Sequence, residues 1–188
     1  QNLGYMLGSF VGGRLYDRLP GTRIISIGIW AMIPLLALVP LARSLALLLG
    51  TIAVLGVVQG AVDVGGNILI LWTAPEGRSV RLNALHLAFG AGAFLCPLIM
   101  AQAVRLTGGI RWEYWSLAIL AAPVASFLLR LPPVRGRHVS SAAGGGRSWT
   151  LGIVLVSTLI VVVVAAEAGY GSWIYTYAVR RRLAGTVS

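Results

Sequence analysis

Several stretches of this chain are long and apolar enough to cross a lipid bilayer as helix, and that feature limits the folds open to it. Ile24 to Ala42 contains no charged residue, and Leu45 to Trp72 contains only Asp63. A helix needs roughly 20 predominantly apolar residues to span the hydrocarbon core. The chain has 188 residues, of which 57% are hydrophobic and 11% charged. A soluble domain carries about 25% charged residues and could not hide this much apolar surface. No run alternates polar with apolar residues, so a β-barrel is not expected. The pattern predicts an all-α integral membrane protein with about six spanning helices.

Six segments can be placed. They run from the start to about Phe10–Gly13, Ile24 to Ala42, Leu45 to Trp72, Leu82 to Val104, Trp112 to Leu131, and Trp149 to about Val179. The connector "PPVRGRHVSSAAGGGRS" is the longest and is rich in Gly, Ser and Pro, as flexible linkers are. It divides the chain into a first helical group at 1–131, a linker at 132–148 and a last helix at 149–188. The chain opens on "QNLGYMLGSFVGG" without a start Met or signal peptide, which reads as the interior of a helix. A longer protein, of which this is a piece, is expected.

The net charge of +10 would point a soluble protein towards nucleic acid. Here nearly every Arg falls in a short loop, so the lipid bilayer is the expected partner and nucleic acid is not. Basic residues accumulate in cytoplasmic loops. Arg14, Arg18, Arg23, Arg78, Arg81, Arg130, Arg135, Arg137 and Arg147 lie on one side, against Arg43, Arg105 and Arg111 on the other. The 14–23 and 132–148 loops are therefore expected in the cytoplasm, at the plasma (inner) membrane. Arg180, Arg181 and Arg182 run against this bias. Cys96 is the single cysteine, which excludes an internal disulfide and a multi-cysteine metal site. No Ser–His pair, zinc-ligand cluster or phosphate loop is present, so an enzyme, a metal site and a cofactor are not expected.

Small residues recur at helical spacing: Gly4, Gly8 and Gly12 in the first segment, Gly56 and Gly60 in the third. Such stripes let helix backbones approach closely in lipid. They signal packing, not function.

The stretch "GGRLYDRLPGTR" resembles the loop signature between helices 2 and 3 of the major facilitator superfamily. Gly13, Asp17, Arg18, Gly21 and Arg23 can take the signature's roles, although Pro20 adds a residue before the Gly and Thr22 stands where a basic residue is usual. The resemblance implies that the six segments are helices 2 to 7 of a twelve-helix transporter, joined by the central cytoplasmic loop. It also implies that Asp17 and Arg18 latch one conformation. "GAVDVGGN", "RLNALHLAFGAGAFLCP" and "EAGYGSWIYTYAV" resemble the fucose–proton symporter and its sugar-transporter-like relatives. That branch implies a sugar-like solute and a proton as partners.

A mid-membrane charge costs about 3 kcal/mol on insertion scales, so the placement of each acid is informative. Asp17 is in a loop and Glu76 and Glu113 lie at helix ends, which leaves Asp63 and Glu167 inside apolar runs. Helical spacing puts Gln59, Asp63 and Asn67 on one face, one turn apart. A desolvated carboxylate flanked by amides can exchange a proton and hold sugar hydroxyls. The competing reading is a polar staple between helices. His86, on a face with Asn83 and Gly90, either joins that site or ties helices together. On the last helix, Glu167 with Trp173 and Tyr177 reads as a half-site, since aromatic faces stack on sugar C–H surfaces. Trp173, Tyr175 and Tyr177 also fit an interfacial belt. The expected function is secondary-active proton symport of a sugar or similar polar solute. Alternatives are a sensor or scaffold that kept the fold, sodium coupling, and efflux of another solute class.

Overall fold

The computed structural model describes residues 1–74, 76–109, 111–136 and 147–181. These form six α-helices: α1 (Asn2–Tyr16), α2 (Gly21–Leu38), α3 (Leu45–Thr73), α4 (Arg78–Thr107), α5 (Arg111–Arg130) and α6 (Arg147–Arg180). A 3-10 turn, Val39–Leu41, extends α2. No strand occurs among the described residues. Four helical stretches, Gly21–Leu41, Leu45–Thr73, Arg78–Thr107 and Arg111–Arg130, are long and apolar enough to cross a membrane. The first helix runs on to Tyr16, past the Phe10–Gly13 limit expected from sequence, because hydrophobicity fades before the helix does.

Helix ends follow local chemistry. The Ser44 side chain accepts from the Leu47 N–H at 3.2 Å and caps α3, meeting a backbone donor that has no intrahelical partner. Gly77 and Gly108 both take φ of 70° at the two ends of α4, a left-handed conformation that costs glycine nothing. The Gly108 N–H closes that helix on the Val104 carbonyl at 2.8 Å.

The chain divides into two compact units, Gln1–His138 and Val139–Ser188. In the first, α1 packs on α3, and α2 packs on both α3 and α5. Large apolar side chains of α1 (Leu3, Met6, Leu7 and Phe10) point outwards, while Gly4, Gly8 and Gly12 are buried. Small residues inside with large ones outside is the arrangement expected where lipid is the surrounding solvent. The buried core, Tyr16, Ile24 and Ile25, is enclosed by Ile29, Val62, Ile68, Leu69 and Trp72.

α2 and α5 run antiparallel and are tied along their length. The Ser26 hydroxyl, fully buried, donates to the Ala125 carbonyl at 2.7 Å. At the far end Trp115 Nε1 donates to the Ala37 carbonyl at 3.3 Å. Residues 132–136, assigned to the linker by sequence, pack on the first unit. The Gly21 N–H donates to the Val134 carbonyl at 2.7 Å. Thr22 Oγ1 donates to the Pro132 carbonyl and accepts from the Val134 N–H, each at 3.4 Å. Gly136 lies on the Trp72 ring. The α1–α2 turn, the end of α3 and the end of α5 therefore share one end of the unit, the end that carries Arg14, Arg18, Arg23, Arg130 and Arg135. Linker residues 137–146, Arg137 among them, and Arg182 lie outside the described residues, whereas Arg147 and Ser148, expected in the linker, already belong to α6.

Candidate functional site

The site is built on two glycine stripes that interlock. A Cβ at Gly4 would meet the backbone of Ala53 and Val57, one at Gly8 the backbone of Val57, and one at Gly12 that of Ala61. In return, Gly56 receives the backbone of Gln1 and Tyr5, and Gly60 that of Tyr5 and Ser9. Partner numbers rise together along both helices, so α1 and α3 run in the same direction. Their separation is set by backbone against backbone, with no side chain to act as a spacer.

That contact carries a line of polar bonds. Gln1 Nε2 donates to Gln59 Oε1 at 3.0 Å. One turn further on, the Tyr5 hydroxyl donates to Asp63 Oδ2 at 2.6 Å, a short distance typical of a hydrogen bond to a carboxylate. Ser9 Oγ reaches the Gly60 carbonyl at 3.4 Å and the Tyr16 hydroxyl the Ala61 carbonyl at 3.0 Å. Asn67 Nδ2 turns back to the Asp63 main-chain carbonyl at 3.0 Å. Gln59, Asp63 and Asn67 thus share one face, as their spacing predicts. By the helical rise, Asp63 lies about 15 Å from Thr73 and about 27 Å from Leu45. It is well inside a helix long enough to span the bilayer. Asp63 is exposed on the surface of the unit, whereas Gln59 and Asn67 are half-buried.

Tyr5 is the residue that sequence reading missed. Its signal was indirect: it adjoins Gly4 in the stripe, and only the parallel register of the stripes brings its hydroxyl to Asp63. His86 and Asn83 are exposed on α4, and among the described residues no hydrogen bond joins either to α3. α4 touches α3 about two turns from its end, where Leu85 approaches Gly66. In the second unit Trp173 and Tyr177 are exposed on α6, with the Arg181 guanidinium 5.7 Å from the Tyr177 ring centroid. The Glu167 side chain lies outside the described residues.

The loop signature divides in two. A Cβ at Gly13 would meet nothing, but one at Gly21 would press on Leu69, Trp72 and Tyr16. Asp17, Arg18 and Arg23 are exposed. Thr22, where the signature has a basic residue, is buried and bonded to residues 132–134.

The sequence model of the Major Facilitator Superfamily matches residues 1–187. The chain belongs to the major facilitator superfamily. Among curated proteins, this superfamily member is 28% identical to "Sodium-dependent glucose transporter 1" of Xenopus laevis, over 95% of the chain and 42% of that protein. It is 37% identical to the human protein of that name over 56% of the chain and 20% of the relative. A "Protein TsgA homolog" of Enterobacter sp. (strain 638) is 25% identical over 94% of the chain and 46% of that relative. The chain spans less than half the length of these relatives. No solved structure matches it significantly.

Proposed function

We propose that this chain is part of a secondary-active carrier, not an enzyme. In this reading it moves a sugar or similar small polar solute by alternating access, coupled to a proton, with Asp63 as the coupling carboxylate. The observation that carries it is a carboxylate inside a 29-residue apolar helix, on one face with two amides and exposed at the surface of its unit. A mid-membrane acid at such a surface needs a water-filled cavity or a further polar neighbour. A solute cavity between helical halves is where carriers of this kind bind their cargo. Gln59 and Asn67 supply donors and acceptors for hydroxyls, and Asn83 and His86 are assigned to the same cavity. Glu167, Trp173 and Tyr177 are assigned a second half-site on α6 by sequence position. The names of the glucose-transporter relatives support the solute class. The Arg-rich end of the first unit is assigned to the cytoplasm and the protein to the plasma membrane. Asp17 and Arg18 would then set the rate at which the two access states interchange.

Sodium coupling is a second reading, favoured by the "sodium-dependent" in those names. The test uses the full-length protein in proteoliposomes, with sugar-driven proton uptake and sugar-driven sodium uptake measured side by side. Proton uptake that Asp63→Asn abolishes, while sugar exchange persists, supports the proposal. Sodium uptake with the same dependence selects the second reading. Coupling unchanged by Asp63→Asn makes Asp63 a structural staple, and absence of any solute exchange favours a sensor or scaffold.

A further inference from the structure

We propose that Tyr5 is the positioning residue of the Asp63 site. Its hydroxyl holds Oδ2 of the carboxylate against α1 and competes with the small monovalent cation, proton or sodium, that Asp63 takes up. This rests on the reading of Asp63 as the coupling carboxylate and names the group that controls it.

The geometry makes the bond a built feature. The Tyr5 backbone lies directly on Gly56 and Gly60, whose missing side chains let α1 approach. That approach fixes where the phenol starts, and its hydroxyl ends 2.6 Å from Oδ2. The Gln1–Gln59 bond one turn earlier repeats the same register. Among the described residues no hydrogen bond reaches Oδ1, so one carboxylate oxygen is held and the other is available.

No other ionisable side chain on the elements packed against α3 competes for this role. α1 otherwise carries Arg14 and Tyr16 two to three turns away, with Tyr16 bonded to Ala61, and α2 carries Arg23 in its first turn. α4 carries Arg78, Arg81 and His86 towards its start, Arg105 at its end, and Cys96 bonded to the Met100 sulfur. Of all these groups only Tyr5 hydrogen-bonds Asp63.

The test is the cation dependence of solute uptake by the full-length protein in proteoliposomes, with proton and sodium titrated in separate series. Tyr5→Phe keeps the ring and removes the hydroxyl. It is expected to lower the half-saturating concentration of the coupling cation roughly tenfold, the scale of one hydrogen bond to a charged group, with a smaller change in maximal rate. Tyr16→Phe, which removes the Tyr16–Ala61 bond of the same interface away from the Tyr5 hydroxyl, is expected to leave the half-saturating concentration unchanged. An unchanged value in Tyr5→Phe overturns the proposal. A raised value also overturns it, because the hydroxyl oxygen would then be a cation ligand instead of a competitor. An equal shift in Tyr16→Phe assigns the effect to a loosened interface and likewise overturns it. Asp63→Asn separates the two levels. If that variant stays cation-dependent, the reading of Asp63 itself fails. If it loses cation dependence while Tyr5→Phe behaves as wild type, only the role of Tyr5 fails.

Discussion

Glycines in one helix of this chain carry opposite loads. Gly8 sits where a Cβ would run into the Val57 backbone, which cannot shift without moving a helix, whereas Gly13 faces open space. Gly8→Ala is therefore expected to destabilise the protein by about 1–3 kcal/mol, the usual range for overpacking. Gly13→Ala is expected to be neutral or to stabilise by up to about 1 kcal/mol, because alanine is the better helix former. Thermal unfolding of the detergent-solubilised protein would separate the two variants, and equal losses would refute the interlock. The sequence shows both stripes, since spacing of four is visible without a structure. That the stripes pack against each other is not visible, because any small-residue face can serve any partner helix. The same distinction applies at the site. Gln59, Asp63 and Asn67 were legible from periodicity within one helix, and Tyr5 was not, because its bond crosses between segments, with donor and acceptor 58 positions apart.

At the scale of elements, the least expected finding is the segment 132–136, which continues past α5 and closes over the start of α2. Composition marks it as linker because Pro and Gly dominate, yet Thr22, Gly21 and the Trp72 ring hold it. Thr22 is 4% exposed, so Thr22→Val keeps the shape while depriving the Val134 N–H of its side-chain acceptor. A cost of about 1–2 kcal/mol is expected. The segment opens more often as a result, and trypsin should cleave after the exposed Arg135 faster than in the wild type. An unchanged cleavage rate would show that the backbone bond from Gly21 suffices to hold it. The helices themselves were largely legible. Expected and observed ends agree within a few residues because a bilayer-spanning helix must be long and apolar. Thr22 also explains a departure from the superfamily loop signature: the position that usually holds a basic residue is buried here, and a hydroxyl is what its neighbours can use.

At the scale of the whole molecule, the first unit gathers the α1–α2 turn, the end of α3 and the end of α5 at one pole, and Arg14, Arg18, Arg23, Arg130 and Arg135 gather with them, while Arg43, Arg105 and Arg111 lie towards the other. Basic loops are retained on the cytoplasmic side during insertion. In a background where Cys96 is replaced by Ser, Glu76→Cys should be shielded in intact cells from a membrane-impermeant maleimide, and Ser44→Cys should react. The reverse pattern would invert the assigned orientation. The amino-acid sequence by itself determined that the chain is a helical membrane protein, where its helices begin and end to within a few residues, which end is basic and which face of α3 is polar. All of these follow from transfer energies and the helical repeat, which act within one segment. Only the tertiary structure decided that the two glycine stripes meet in parallel register, that Tyr5 holds Asp63, and that residues 132–136 belong to the first unit. Lipid tails are as apolar as the helix surfaces, so burial does not choose between partner helices. Backbone approach and matched hydrogen bonds choose, and these exist only once two segments are placed side by side.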